Sequence, residues 1–255
     1  MSKYLGKLHE IRLFSLDDAV KITGNKSTAI SMLSAGVKQK TICRIKSNLY
    51  SVTDLATGLC AANKYEIASA IANDACVAYH SAMEYYGFSN QVFNEMDVMT
   101  ATVFRTFDFE GITYNRRKPN HNFGVVTPTM NSHIRVTDVE RTILDCIDRI
   151  KYAGGLEELL NNLDAITFVN EVALVSYLEL YSKPALYQKV GFILSHYKKQ
   201  MHLSSAFFKL CKDNIGKSTR YLDETNTDTK YVSEWGLCVP NTFYMMTEKG
   251  GYVNV

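Results

Sequence analysis

The 255-residue sequence predicts an α+β fold: an N-terminal winged helix-turn-helix, then a larger mixed α/β domain with a helical C-terminal half. Three observations carry this. Two short amphipathic segments meet at Thr23-Gly24-Asn25 and run into a basic hairpin. Strand-like runs fill residues 92–136. Helical patterns cover residues 154 to about 214. The expected domains are residues 1–55 and 62–255.

The first helix of the pair is "FSLDDAVKIT". Ser15 is placed to cap it, and Asp17 and Asp18 fall in the first turn, where the helix dipole favours acids. Gly24 tolerates positive φ at the helix end, and Asn25 caps the next helix, expected from Lys26 to Ala35. Ala29, Ile30 and Leu33 are expected to face inward. Small Ala19 and Ala29 allow a close approach of the two helices. Lys26, Ser27, Thr28 and Ser31 remain outward near the N-terminal end, the end that a recognition helix presents to base edges. "VKQKTICRIKSNLYSV" then predicts strands over 41–45 and 49–52, with Lys46-Ser47-Asn48 as the turn. Lys38, Lys40, Arg44 and Lys46 would line this wing and meet phosphates, with Asn48 at its tip. The alternatives are a helical hairpin that only packs a small core, and a winged-helix fold used for protein interaction.

Asn63 and Glu66 predict a capped helix over "KYEIASAIA". A short strand at 76–79 leads to a helix ending near Gly87, and Glu110-Gly111 reads as a hairpin turn. "TDVERTILDCIDRI" predicts a helix capped by Thr137 and Glu140, with Val139, Ile143, Ile147 and Ile150 as its buried stripe. Arg141–Asp145 and Asp145–Arg149 are i,i+4 pairs, expected to form a solvated ion ladder or a partner-binding surface. "NRRKPNHN" reads as an exposed basic loop, and the tail returns to strand-like character around "TRYL" and "YVSEWGLCV".

Charge is uneven. Residues 1–52 hold nine Lys/Arg and three acids, a net +6, whereas the remainder is −4. Such a concentration is the footprint of a polyanion binder, or else of a solubilising surface. With 46% hydrophobic residues the chain can bury a core. It has no apolar run of about 18 residues to span a membrane. "MSKYLGKLHE" lacks the apolar core of a signal peptide, so a cytoplasmic protein is expected. The six cysteines form no CxxC pair and are expected to be free thiols.

Catalytic patterns are missing. The six histidines show neither HExxH nor metal-ligand spacing. There is no phosphate-cradling glycine loop, and Ser81 lies outside any GxSxG elbow. His80 is expected to satisfy a core polar group. No catalytic residue, metal or cofactor is therefore expected.

An ordered series of segments resembles the AbiEi antitoxins of the AbiE toxin–antitoxin systems. It comprises "RIKSNLYSV", "AYHSAMEYYGF", "VTDVERTILDCID" followed by "AGGLEELL", "SKPALYQKVGFIL" and "EWGLCVP", and it spans nearly the whole chain. Asn48 stands where that family usually has Gly, and Tyr86 where it has His. The resemblance implies an antitoxin and autorepressor that protects against phage through abortive infection and is not an enzyme. Its winged helix would bind inverted repeats in its own double-stranded promoter DNA. Its C-terminal domain would neutralise the cognate AbiEii nucleotidyltransferase toxin, with Glu140, Arg141 and Asp145 matching the family's helix motif. A monomer that assembles cooperatively on DNA is expected. The rival readings are a stand-alone regulator with a ligand-sensing C-terminal domain, and a nucleic-acid enzyme.

Overall fold

The computed structural model describes residues 4–54, 56–223 and 228–249. It is a mixed α and β fold. The elements begin with α1 (Leu5–Ile11), β1 (Leu13–Phe14), α2 (Leu16–Thr23), α3 (Lys26–Lys38), β2 (Ile42–Lys46), β3 (Leu49–Val52) and α4 (Lys64–Ala70). They continue with β4 (Cys76–Val77), α5 (Tyr79–Tyr85), β5 (Glu95–Met99), β6 (Phe107–Phe109), β7 (Ile112–Arg117), β8 (Val125–Val126) and β9 (Val136–Thr137). Next are α6 (Val139–Asp148), α7 (Leu156–Asp164), α8 (Glu171–Tyr181), α9 (Pro184–Ser195) and α10 (Ser205–Asp213). Last come β10 (Arg220–Tyr221), β11 (Thr229–Val232), β12 (Leu237–Pro240) and α11 (Phe243–Lys249). Among the described residues no helix is long and apolar enough to cross a membrane.

The chain forms two compact units. Residues 1–77, 94–119 and 127–136 make the first; residues 78–93, 120–126 and 137–255 make the second. The expected boundary at 55–62 falls inside the first unit, because α4 packs on both β1 and β5.

In the first unit a small antiparallel sheet has the order β1-β3-β2. Leu8, Phe14, Ala19, Ala29, Leu33, Ile42 and Val52 form the buried cluster beside it. A second sheet carries β6-β7-β5-β4-β9 in sequence of pairing. Its β6–β7 hairpin turns at Glu110-Gly111, both with positive φ, where the sequence places a turn. Asn63 and Glu66 form a capping box on α4, as their spacing requires. Glu66 is buried and is held by Asn131 and, at 3.5 Å, by Arg12.

The basic segment at 115–122 departs from the expected loop. Its first three residues belong to β7. Arg116 donates to the Thr102 and Ala101 carbonyls, and Arg117 to Asp97 at 2.6 Å. These guanidiniums are spent within the unit.

In the second unit α6 is flanked by α8 and α9. Its N-cap is Asp138, not Thr137: the Asp138 carboxylate accepts from the Arg141 N–H at 2.8 Å. Thr137 instead pairs its hydroxyl with that of Thr142. The C-terminal strands form a sheet in the order β10-β12-β11. Gly191 in α9 lets the Trp235 ring lie flush on the helix; a Cβ there would sit 2.1 Å from the ring. The tail also holds a helix, α11, where only strand character was expected. All six cysteines are free, with Cys76, Cys146 and Cys211 buried.

Candidate nucleic-acid interface

The site is built on the helix pair. Ser15 caps α2 in a full capping box with Asp18, its hydroxyl accepting from the Asp18 N–H at 3.2 Å. Gly24 ends α2 in the left-handed conformation, φ 76°. Asn25 caps α3, its side-chain oxygen accepting from the Ser27 and Thr28 N–H groups. Ala19 and Ala29 are both fully buried and belong to one core cluster, and the two helices pack together.

Helix α3 runs to Lys38, three residues beyond its expected end, which puts Lys38 on the helix rather than on the hairpin. A Schellman-type closure follows. Lys40 N–H donates to Val37 and Thr41 N–H to Gly36, with Lys40 in the left-handed region at φ 57°. Gly36 allows β2 to lie against α3, since a Cβ there would meet the Ile42 side chain at 2.5 Å.

Lys26, Ser27, Thr28 and Ser31 are exposed on α3, as are Lys38, Lys40 and Arg44. Ser34, missed in the sequence reading, shares that face. Ile30 was expected inside and is 46% exposed. The helical period explains both: at 100° per residue Ile30 and Ser34 fall on the side of Ser27 and Ser31, about 90° or more from the mean direction of the buried Ala29, Leu33 and Gly36.

The hairpin differs from a plain cationic wing. Its register shifts between Arg44 and Lys46, so Ile45 is bulged. Arg44 points to solvent, whereas Lys46 is half-buried with its ammonium 5.1 Å from the Phe104 ring centroid and 5.6 Å from that of Phe107. Burial holds the Lys46 pKa below the ordinary lysine value. Lys46 is therefore turned onto the aromatic rings, away from Arg44 and from the phosphate role expected of it. Asn48 occupies the left-handed turn position, φ 62°, and its side-chain oxygen accepts from the Leu16 N–H at 2.9 Å. It closes the hairpin onto the start of α2. Arg12 is likewise engaged, donating to the Ala61 carbonyl.

What remains is one helix face of hydroxyls and lysines beside a hairpin edge bearing Arg44. From residue 19 to residue 53 the sequence holds six Lys/Arg and no acid. This arrangement can neutralise phosphates and offer short donors to base edges.

The residues matched to toxin neutralisation lie in the second unit. Arg141 is 0% exposed and Asp145 2%, which overturns the solvated ladder. Arg141 Nε donates to Asp145 Oδ2 at 2.7 Å and Nη1 to the Phe123 carbonyl at 2.7 Å, and the guanidinium lies over the Phe123 ring. Tyr181 donates its hydroxyl to the other oxygen of Asp145. Burial raises the Asp145 pKa, and Arg141 and Tyr181 oppose the rise. Arg149 is exposed and lies 3.7 Å from Asp148 instead. Glu140 is half-buried and accepts from the Asn170 N–H. Arg141 and Asp145 are thus internal struts, and of the three only Glu140 reaches the surface.

His80 is buried, with Nε2 3.0 Å from Glu158 Oε1 and 3.1 Å from Ser89 Oγ, and it stacks on Phe93. Both partners meet the same ring nitrogen, whereas a nucleophile relay needs them on opposite nitrogens. A cleft of about 470 Å³ in this unit is lined by Lys198, Lys209, Lys212, Glu234, Phe208 and Trp235 among others. Its lining is largely charged, unlike the apolar pocket of a ligand sensor.

No protein-family model and no curated protein matches the chain. The chain is similar in structure to the crystal structure of the RV2827C protein from Mycobacterium tuberculosis. That likeness has a TM-score of 0.66 at 11% identity and covers 97% of this chain and 93% of that one. At such identity it is a likeness of fold alone.

Proposed function

We propose that residues 13–52 form a winged helix-turn-helix that reads duplex DNA, with α3 as the recognition helix and the β2–β3 hairpin as the wing. The observation that carries this is the acid-free stretch 19–53, with exposed Lys26 and Lys38 on α3, Lys40 just beyond it and Arg44 on the hairpin edge, while Lys21 on α2 pairs with Asp18. Lys26, Ser27, Thr28 and Ser31 are assigned to the major groove, and Lys38, Lys40 and Arg44 to phosphates. Asn48 holds the wing in place.

We further propose that the chain is the antitoxin and autorepressor of an AbiE-type operon. This rests on the resemblance of its ordered segments. It would be a cytoplasmic, non-enzymatic monomer that assembles cooperatively on inverted repeats in its promoter. It would neutralise a nucleotidyltransferase toxin through its C-terminal domain. Within the matched helix motif Glu140 is the contact candidate, because Arg141 and Asp145 are occupied inside the unit.

The test is a gel-shift titration of the full chain on the DNA upstream of its own gene, against scrambled DNA of equal length. Stepwise shifts on the promoter duplex alone support operator reading. Equal, salt-labile binding to both duplexes would reduce the site to a basic surface. Co-expression with a neighbouring nucleotidyltransferase gene tests the antitoxin half: growth arrest that the chain fails to relieve refutes it.

A further inference from the structure

Ile30 is the anomaly of α3. It is 46% exposed in the body of the helix, and Val37, two turns on, is 38% exposed. The buried row beneath them is already filled by Ala29, Leu33 and Gly36. A β-branched residue is a poorer helix former than the Lys, Gln or Ala that would serve an exposed position. Neither core packing nor helix stability accounts for an isoleucine there.

Its neighbours point to a ligand class. Ile30, Leu33, Ser34, Val37, Arg44 and Tyr50 line a cleft of about 180 Å³ between the outer face of α3 and the hairpin. Arg44 is the charged residue of the lining, and no acid lies within the stretch 19–53. An apolar strip beside a cation, in a stretch without acids, fits a polyanion with apolar groups at its recognition edge. Duplex DNA offers one such group in the major groove, the C5-methyl of thymine.

We propose that Ile30 reads thymine, packing on the C5-methyl of one base in the half-site held by α3. This rests on the reading of residues 13–52 as a DNA-reading module. Ile30 is favoured over Val37 because base edges meet the N-terminal part of a recognition helix. Val37 lies about 10 Å further along the axis, next to the phosphate-directed Lys38 and Arg44.

The test starts with selection of tightly bound duplexes by the full chain from a pool with a randomised core. The best duplex is then remade with deoxyuridine at each thymine in turn. This removes the methyl and keeps the hydrogen-bonding edge. The expected result is one position per bound chain at which uridine weakens binding about fourfold, the worth of one buried methyl. Ile30→Ala should weaken binding to the thymine duplex by a similar factor and be indifferent to uridine at that position. Its urea midpoint checks that it folds, and the uridine series on the unaltered chain decides if it does not. Neutral uridine at every position overturns the assignment while leaving DNA reading intact. Failure to enrich any duplex overturns both. A chain that sediments as a dimer without DNA, and as a monomer once Ile30 is Ala, would make the strip a seam between copies and refute the proposal.

Discussion

Removing Arg141 tests whether the Glu140–Arg141–Asp145 motif of α6 is a strut or a contact surface. The side chain is wholly buried; it donates to Asp145 and to the Phe123 carbonyl and covers the Phe123 ring. Arg141→Met keeps much of the volume and deletes the charge. Asp145 then remains buried with the Tyr181 hydroxyl but without its cation. Breaking such a pair from one side costs about 3–5 kcal/mol. Deleting both charges, with Arg141→Met and Asp145→Leu together, should recover a large part of that loss. The pH dependence has a definite sign. Burial already raises the Asp145 pKa against Arg141's opposition, so losing Arg141 raises it further. A carboxyl with a raised folded pKa favours the folded state below its unfolded value, about 3.9, and loses that contribution as pH rises through the folded value. The deficit of the single variant should therefore be smallest near pH 4 and grow towards pH 8. Urea unfolding followed by the fluorescence of Trp235, the sole tryptophan, reports on the second unit. A loss under about 1 kcal/mol, or a deficit flat in pH, would refute the strut argument.

Other outcomes follow from the same geometry. Lys40→Gly relieves a left-handed lysine and should stabilise the chain by up to about 1 kcal/mol in urea melts. In DNA titrations it should also make the log–log salt slope shallower by about 0.9. Lys46→Ala should leave the log–log salt slope of DNA binding unchanged and cost about 0.5–1 kcal/mol of stability, as its ammonium rests on Phe104 and Phe107 instead of a phosphate. Arg44→Ala, by contrast, should weaken binding to all duplexes alike. Gly36→Ala should destabilise by about 1–3 kcal/mol, because its methyl group runs into Ile42 and must push the hairpin from α3; an unchanged urea midpoint would refute that. Gly191→Ala should shift the Trp235 emission and lower the urea midpoint of the second unit, since the added methyl overlaps the indole.

Local signals in the sequence located most elements. Ser15, Asn25 and Asn63 each named a helix start through a single side-chain cap, and Gly24 and Glu110-Gly111 each marked a turn through backbone conformation. Such interactions span only a few residues, so composition reveals them. The misses are tertiary. Ile30 is apolar, and only the placement of Leu33 and Ala29 against α2 and the sheet shows that the inward row is already complete. Arg141 and Asp145 have the spacing of a surface pair; their burial depends on Phe123 and Tyr181, which are 18 and 36 residues away in sequence. Lys46 looks identical to Arg44 in the sequence. The bulge at Ile45 and the rings of Phe104 and Phe107, about sixty residues on, separate their roles. Thr137 lost its cap to Asp138 because its hydroxyl found Thr142 first.

The hairpin is tethered at both shoulders before any partner arrives: Asn48 holds the Leu16 N–H, and Lys46 rests on Phe104 and Phe107. In the proposed DNA-reading role, a hairpin held this way would surrender little conformational freedom on docking. Calorimetry should accordingly find a small heat-capacity change and an entropy dominated by released counterions, without the signature of a segment that folds on contact. The Leu16 amide, which donates to the Asn48 side chain, should exchange slowly in the free chain. Affinity then becomes adjustable from behind. A substitution at Phe107 that loosens the wing would raise the ordering cost and weaken binding, although Phe107 itself touches no nucleotide.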